Sequence, residues 1–339
     1  MLVSIDEAGR FTRGDGISVV CGLSIPHQEA GRCRRELLRI SKDWPRRDDE
    51  LKAAELQTHH LVTLVDVLYR HDSLLHAVAL DVSGHPAGVI AQHQALQAEG
   101  ITRNLTDDHY PSLREALWEL RRKLEGMPEQ LYVQCVAMHQ LLWTIVEEVP
   151  FYFSQRRPKD LGKFEWFVDA KDPRRITSQE EWWRTVIGPM GESRSRREGF
   201  ITGTGKEFNY RYFDRAFASE GELWHPDLPR ERVQGFDVNK LITQRVAFMD
   251  SKSELFIQVT DVLTGFMRRA LRSRTVDCDT LSALGKLMIK AARGRKLQTV
   301  RLICLDQKAH DVAEYLGPRL RAIASQGRVM LKPEKTRRR

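Results

Sequence analysis

Cysteine is scarce: the 339-residue chain has five (Cys21, Cys33, Cys135, Cys278 and Cys304), an odd number, widely scattered and without a CxxC pair. That excludes a disulfide framework, offers no zinc-site spacing, and leaves most of the thiols as small core residues. No apolar run approaches the roughly 18 to 20 residues needed to cross a bilayer, so no membrane span is expected. The opening MLVSIDEAGR lacks the basic and apolar regions of a signal peptide, which predicts a cytoplasmic protein. No repeat or long low-complexity linker divides the chain. Residues 1–330 are therefore expected to form one elaborated domain, followed by a short basic tail, 331–339. The spaced glycines of a phosphate loop are also missing, because Glu207 follows the GTGK of residues 203–206, and this excludes nucleoside triphosphate binding on that motif.

What is present suits a soluble α/β protein. Hydrophobic residues make up 41%, enough for a sizeable core. Lys plus Arg number 54 against 46 Asp plus Glu, a net charge of +8, which favours a polyanionic partner. Leu2, Val3 and Ile5, the turn-rich RFTRGDG and the run Ile17 to Ile25 predict a β-hairpin. A helix over 29–42, the charged DWPRRDDE, a helix ending near Tyr69 and a strand over 74–82 follow. Residues 85–155 read as an α-helical insertion, with Leu113, Leu117, Leu120 and Leu124 on one stripe. His85, His93, His109 and His139 lie in or near it without metal-ligand spacing, so none is expected to be a ligand. FEWFVD at 164–169 predicts a strand ending in an acid, and TSQEEWWRTVIGPM a helix with a Thr or Ser start. Trp182 and Trp183 are packing anchors or, alternatively, stacking platforms. Gly191 to Lys206 predicts an exposed loop whose Arg194, Arg196, Arg197 and Lys206 track phosphates or are simply solvated. Strands over 245–249 and 300–305 and helices over 281–292 and 309–324 complete the pattern.

The segment FMDSKSELFIQVTDVLTG, residues 248–265, has the strongest internal tension. Leu255, Phe256, Val259, Val262 and Leu263 recur at helical spacing, while Glu254, Gln258, Asp261 and Gly265 fall in a second, polar row at about 100° per residue. A carboxylate at a core boundary costs several kcal/mol, of order, unless a cation or hydrogen bonds compensate it. Asp261 thus either meets a metal or basic partner or accepts a structural hydrogen bond. With Asp6 and Asp169 closing two strands, three distant elements present acids. If these converge, magnesium or manganese would neutralise their repulsion with the oxygen ligands it prefers. Such a site suits phosphodiester hydrolysis.

IDEAG at 5–9, ELK at 50–52, FVDAKD at 167–172 and DSKSELFIQVTDVLTG at 250–265 resemble, in order, the signature blocks of the domain-of-unknown-function 3800 family, which is ribonuclease H-like. The resemblance covers about residues 2 to 270; Ala8 stands where the family usually has Ser. It implies an α/β fold with a mixed central sheet flanked by helices, in which the strands ending at Asp6 and Asp169 lie side by side, plus the large helical insertion. It further implies Asp6, Asp169 and Asp261 as metal-binding acids for Mg²⁺ or Mn²⁺, with Glu7, Glu50, Lys52 and Gln258 supporting them. The function expected is a metal-dependent nuclease acting on DNA or RNA, with a protein partner in a prokaryotic defence or toxin system as the implied context. The alternative is a catalytically silent nucleic-acid-binding or scaffolding subunit that uses the basic surface.

Overall fold

Strand β1 (Leu2–Ala8) pairs antiparallel with β2 (Ile17–Ile25), from Leu2 opposite Ile25 to Ala8 opposite Val19. Every residue of β2 is buried, as a strand covered on both faces requires. β3 (Leu74–Asp81) continues the antiparallel run beyond β2. On the other side of β1, β4 (Glu165–Asp169) adds in parallel, with Leu2 opposite Glu165 and Ile5 opposite Val168. The strands that lead to Asp6 and Asp169 are therefore neighbours. The sheet continues in parallel to β7 (Val246–Met249) at one edge and to β8 (Val300–Ile303), beside β3, at the other. The resulting order, β7-β4-β1-β2-β3-β8, makes a mixed six-stranded sheet flanked by helices.

The computed structural model describes all residues except 171, 173–175, 189, 192–193, 195–202, 224–230, 274, 291–297, 307–315 and 333–339, and omits the side chains of 220–223 and 231–234.

Strand alternation divides the core in two. Val3, Ile5 and Val78 pack in one cluster with Leu141 and Ile145 of α5 (Glu129–Phe153). Leu2, Val19, Cys21 and Leu23 face the layer of α1 (His27–Ile40), α2 (Thr58–Arg70) and the long α9 (Leu255–Arg272). Val259, Val262, Leu263 and Phe266 of α9 are all buried; at about 1.5–3 kcal/mol each, this apolar face dominates its docking before chain entropy is subtracted. α9 approaches β1 closely: Ser4 Oγ donates to the Phe256 carbonyl at 3.1 Å and lies 2.5 Å from Thr260 Oγ1. Glu254 caps the helix by accepting from the Phe256 amide at 3.0 Å.

Between β3 and β4 run α3 (Val89–Thr102), α4 (Pro111–Glu125) and α5, the helical stretch expected over 85–155. Its histidines have local partners. His85 binds the Asp81 carbonyl and the Leu305 amide, His93 the Tyr132 hydroxyl, and His109 Thr106.

α6 (Ser178–Trp182) starts at Thr177, whose hydroxyl accepts from the Glu180 amide, and buries Trp182 and Trp183 as packing residues. The sequence reading passes over α7 (Arg211–Phe217), the hairpin of β5 (Ala218–Leu223) and β6 (Glu231–Phe236), and α8 (Val238–Ile242). Each is too short for periodicity to reveal. The helix expected over 281–292 is instead α10 (Cys278–Lys286), capped by Asp277 and closed before Ile289 bridges to Arg328. The last described helix, α11, covers Leu316–Ser325, and the 307–315 part of the expected helix lies outside the described residues.

Candidate active site

Period-two alternation carries Leu2 and Ser4 toward α9, and Asp6 follows them at 5% exposure. The next step of the β1–β4 register sets Asp169 beside Asp6. Asp261 meets them from α9: it shares a side-chain hydrogen bond with Asp6 and feels the charges of Asp169 and Glu50. Three acids separated by up to 255 positions therefore meet where β1 and β4 end under the middle of α9. Burial pushes the Asp261 carboxyl up, the Asp169 and Glu50 charges push the same way, and Lys52 and the Asp6 hydrogen bond only partly offset them.

Among the described residues, Lys52 is the cation in this cluster. Its Nζ lies 2.7 Å from Glu50 Oε2 and 3.9 Å from Asp261 Oδ2. Burial works against the Lys52 charge, but the Glu50 hydrogen bond and the Asp261, Glu50 and Asp6 carboxylates outweigh it and raise its pKa. Glu50 is only 6% exposed, and burial alone would raise its pKa. The bonds from Lys52 and from Ser251 Oγ, at 2.6 Å, reverse that and lower it.

The 50–53 segment is seated along the polar row of α9. Leu51 N donates to Gln258 Oε1 at 3.2 Å, Gln258 Nε2 donates to the Ser251 carbonyl at 2.8 Å, and Arg269 donates to the Ala53 carbonyl at 2.7 Å. Gln258, Asp261, Gly265 and Arg269 thus form one continuous track under Glu50 to Ala53, in steps of three or four residues.

Glu7 stands apart from this cluster. The alternation that turns Asp6 toward α9 turns Glu7 to the opposite face, where Gln134 Nε2 of α5 donates to it at 3.0 Å. Of the four basic residues expected in one loop, Arg194 is helical and half-buried, donates to Gln140 Oε1 at 3.0 Å and stacks 4.6 Å above the Trp143 ring. Lys206 is exposed, and Arg196 and Arg197 lie outside the described residues. Ser251 is the contributor that sequence reasoning missed. Its signal was the tight turn at Asp250, whose carboxylate accepts from the Lys252 amide at 3.0 Å just ahead of the α9 cap.

The oxygen-only donors Asp6, Asp169 and Asp261 fit a hard divalent cation by chemistry, and burial together with the Asp169 charge raises the Asp261 pKa. As they stand, Lys52 and the shared hydrogen bond answer their charge, and among the described residues no three His, Cys, Asp or Glu side chains are already spaced to hold a metal. Compared with protein-family models, with curated proteins and with solved structures, the chain finds no match in any of the three.

Proposed function

We propose that this protein is a divalent-metal-dependent nuclease that hydrolyses phosphodiester bonds in DNA or RNA, on a ribonuclease H-like fold. The observation that carries the reading is the approach of Asp261 to both Asp6 and Asp169, with Lys52 beside it. The strand order supports the fold assignment: the strands leading to Asp6 and Asp169 are neighbours in a mixed sheet, as the resemblance implies. The net charge of +8 suits a polyanionic substrate.

Magnesium or manganese held by Asp6, Asp169 and Asp261 would supply Lewis-acid activation of water and stabilisation of the leaving oxygen. The chain's own residues have distinct parts. Asp6, nearly out of water on a central strand, fixes the position of the acids. Burial and the Asp169 charge raise the Asp261 pKa, and a neighbouring cation favours its charged form. Lys52, a third exposed, presents its ammonium beside the acids where a phosphate would arrive, and Glu50 and Ser251 hold it there.

The test incubates wild type and Asp261→Asn with single- and double-stranded DNA and RNA, with manganese, magnesium or chelator. Cleavage by wild type that needs the metal and is lost in Asp261→Asn is the expected result. Equal cleavage by the variant, or cleavage in chelator, would reject the site. Binding without cleavage on every substrate would favour a silent nucleic-acid-binding subunit.

A further inference from the structure

A ridge of arginines leads away from the acid cluster along α9. At about 100° per residue, Arg268 and Arg272 fall within about 20° of Asp261 around the helix, and a rise of about 1.5 Å per residue sets them about 10 and 16 Å along the axis from it. Arg269, which continues the polar row through Gly265, donates to the Ala53 carbonyl at 2.7 Å and has its guanidinium 4.0 Å over the Phe266 ring. Burial holds the Arg269 pKa below its usual range, and no carboxylate charge among the described residues offsets that.

The loop between β1 and β2 closes on the same ridge. Arg268 donates to the Ile17 carbonyl at 3.0 Å and to the Asp15 carboxylate at 2.8 Å, and that carboxylate also accepts from the Arg10 amide. A Cβ on Gly16 would lie 4.0 Å from Arg272 Nε. The loop is tightly fixed: Phe11 adopts a left-handed backbone, φ 53°, its ring is buried, and its amide donates to Ser18 Oγ at 3.0 Å. An aromatic residue in that region is strained, and such strain persists only where the surroundings hold it.

Asp15 answers the Arg268 charge, and Glu129, 3.9 Å from Arg13, partly answers that one. The Arg10 and Arg272 side chains are exposed, and neither has an ion pair or side-chain hydrogen bond among the described residues. Positive charge at a helix C-terminus complements the helix dipole, which accounts for Arg269 and Arg272 in the last turn but not for Arg10, delivered there by a strained loop.

We propose that Arg10, Arg269 and Arg272 form a fixed track for the backbone phosphates of a nucleic acid on one side of the acid cluster. With one phosphate per about 3.4 Å along each strand of a duplex, Arg269 and Arg272 meet phosphates about three to five removed from the one at the acids. Such contacts set the position of the chain without reading its bases. The track deepens the proposed function and rests on it for the point of cleavage, whereas phosphate binding by the track needs no cleavage.

The test follows fluorescence anisotropy of labelled DNA and RNA oligonucleotides, single-stranded and duplex, with the full-length protein in chelator, from about 50 to 200 mM salt. Arg10→Gln/Arg272→Gln is expected to weaken binding of the preferred probe at least about tenfold and to make the slope of log affinity against log salt shallower by about 1.4 to 1.8, for two lost phosphate contacts. Arg122→Gln/Arg215→Gln removes two exposed charges from α4 and α7 and is the control of equal net charge. It is expected to change affinity less than about threefold, because salt screens distant charges. Both pairs are exposed, and thermal melting close to wild type checks that each variant is folded. Absence of binding by wild type to all probes, an unchanged salt slope in Arg10→Gln/Arg272→Gln, or an equal loss in the control pair would each overturn the track. Binding in the expected pattern without cleavage in magnesium or manganese would uphold the track and remove the nuclease reading; metal-dependent cleavage with an unchanged salt slope would do the reverse.

Discussion

Gly265 and Ala53 touch where the Lys52 segment lies on α9: a Cβ on Gly265 would sit 2.3 Å from the Cβ of Ala53. The helix has a glycine there because nothing larger lets the segment seat. Gly265→Ala would gain up to about 1 kcal/mol of helix propensity, but overpacking costs about 1–3 kcal/mol. A net loss of stability in urea denaturation is expected, together with loss of the Lys52 to Asp261 approach. A variant as stable as wild type would show that the segment yields without cost.

Lys52→Met keeps the aliphatic stem but strips buried Glu50 of its cation. Removing one partner of a buried pair costs about 3–5 kcal/mol; because Lys52 is a third exposed, water replaces part of the interaction, and about 1–3 kcal/mol is expected. The depressed Glu50 pKa stabilises wild type above the unfolded carboxylate range and is lost as pH falls through the folded value. The difference between Lys52→Met and wild type should therefore shrink in acid, as measured by denaturation midpoints across pH.

Asp261→Asn should behave in the opposite sense. The folded Asp261 pKa is raised, so the native state binds the proton more tightly than the unfolded chain and loses stability as pH rises from the unfolded to the folded pKa. Asn removes that loss. The variant should melt higher than wild type near neutral pH, with the gap closing in acid. On the metal-site reading, magnesium should raise the wild-type melting temperature more than that of the variant. A variant that melts lower than wild type at neutral pH would contradict the raised pKa.

Under the opposite face of the sheet, His76 Nε2 lies 3.5 Å from Glu148 Oε2, and Arg301 approaches both Glu147 and Glu148. Burial pushes Glu148 up to about 7, against the opposing pull of Arg301, and pushes His76 down to about 3, helped by the Arg301 charge. The stability contribution of Glu148 should therefore fall between about pH 4.5 and about pH 7, by roughly 2–4 kcal/mol. Glu148→Gln should flatten the stability profile over that window. An unchanged slope in the variant would assign the pH dependence to other groups.

Local periodicity in the sequence determined the hairpin of β1 and β2, the strand closing at Asp169, the helices between β3 and β4, and the two stripes of α9. Spacings of two, three and four residues encode which side chains share a face, and those spacings are visible in the chain itself. The tertiary structure alone decided what each face meets. The polar row of α9 proved to be the seat of a segment some 200 residues earlier, which buries Glu50, the last residue of the charged DWPRRDDE. Glu7 follows Asp6 directly, yet the strand's pleat gives one to α9 and the other to α5. Arg194, which reads as part of an exposed basic loop, stacks on buried Trp143. In each case the deciding contact joins segments far apart in sequence. Burial and charge pairing there follow from how sheet and helices pack together, which no local spacing records.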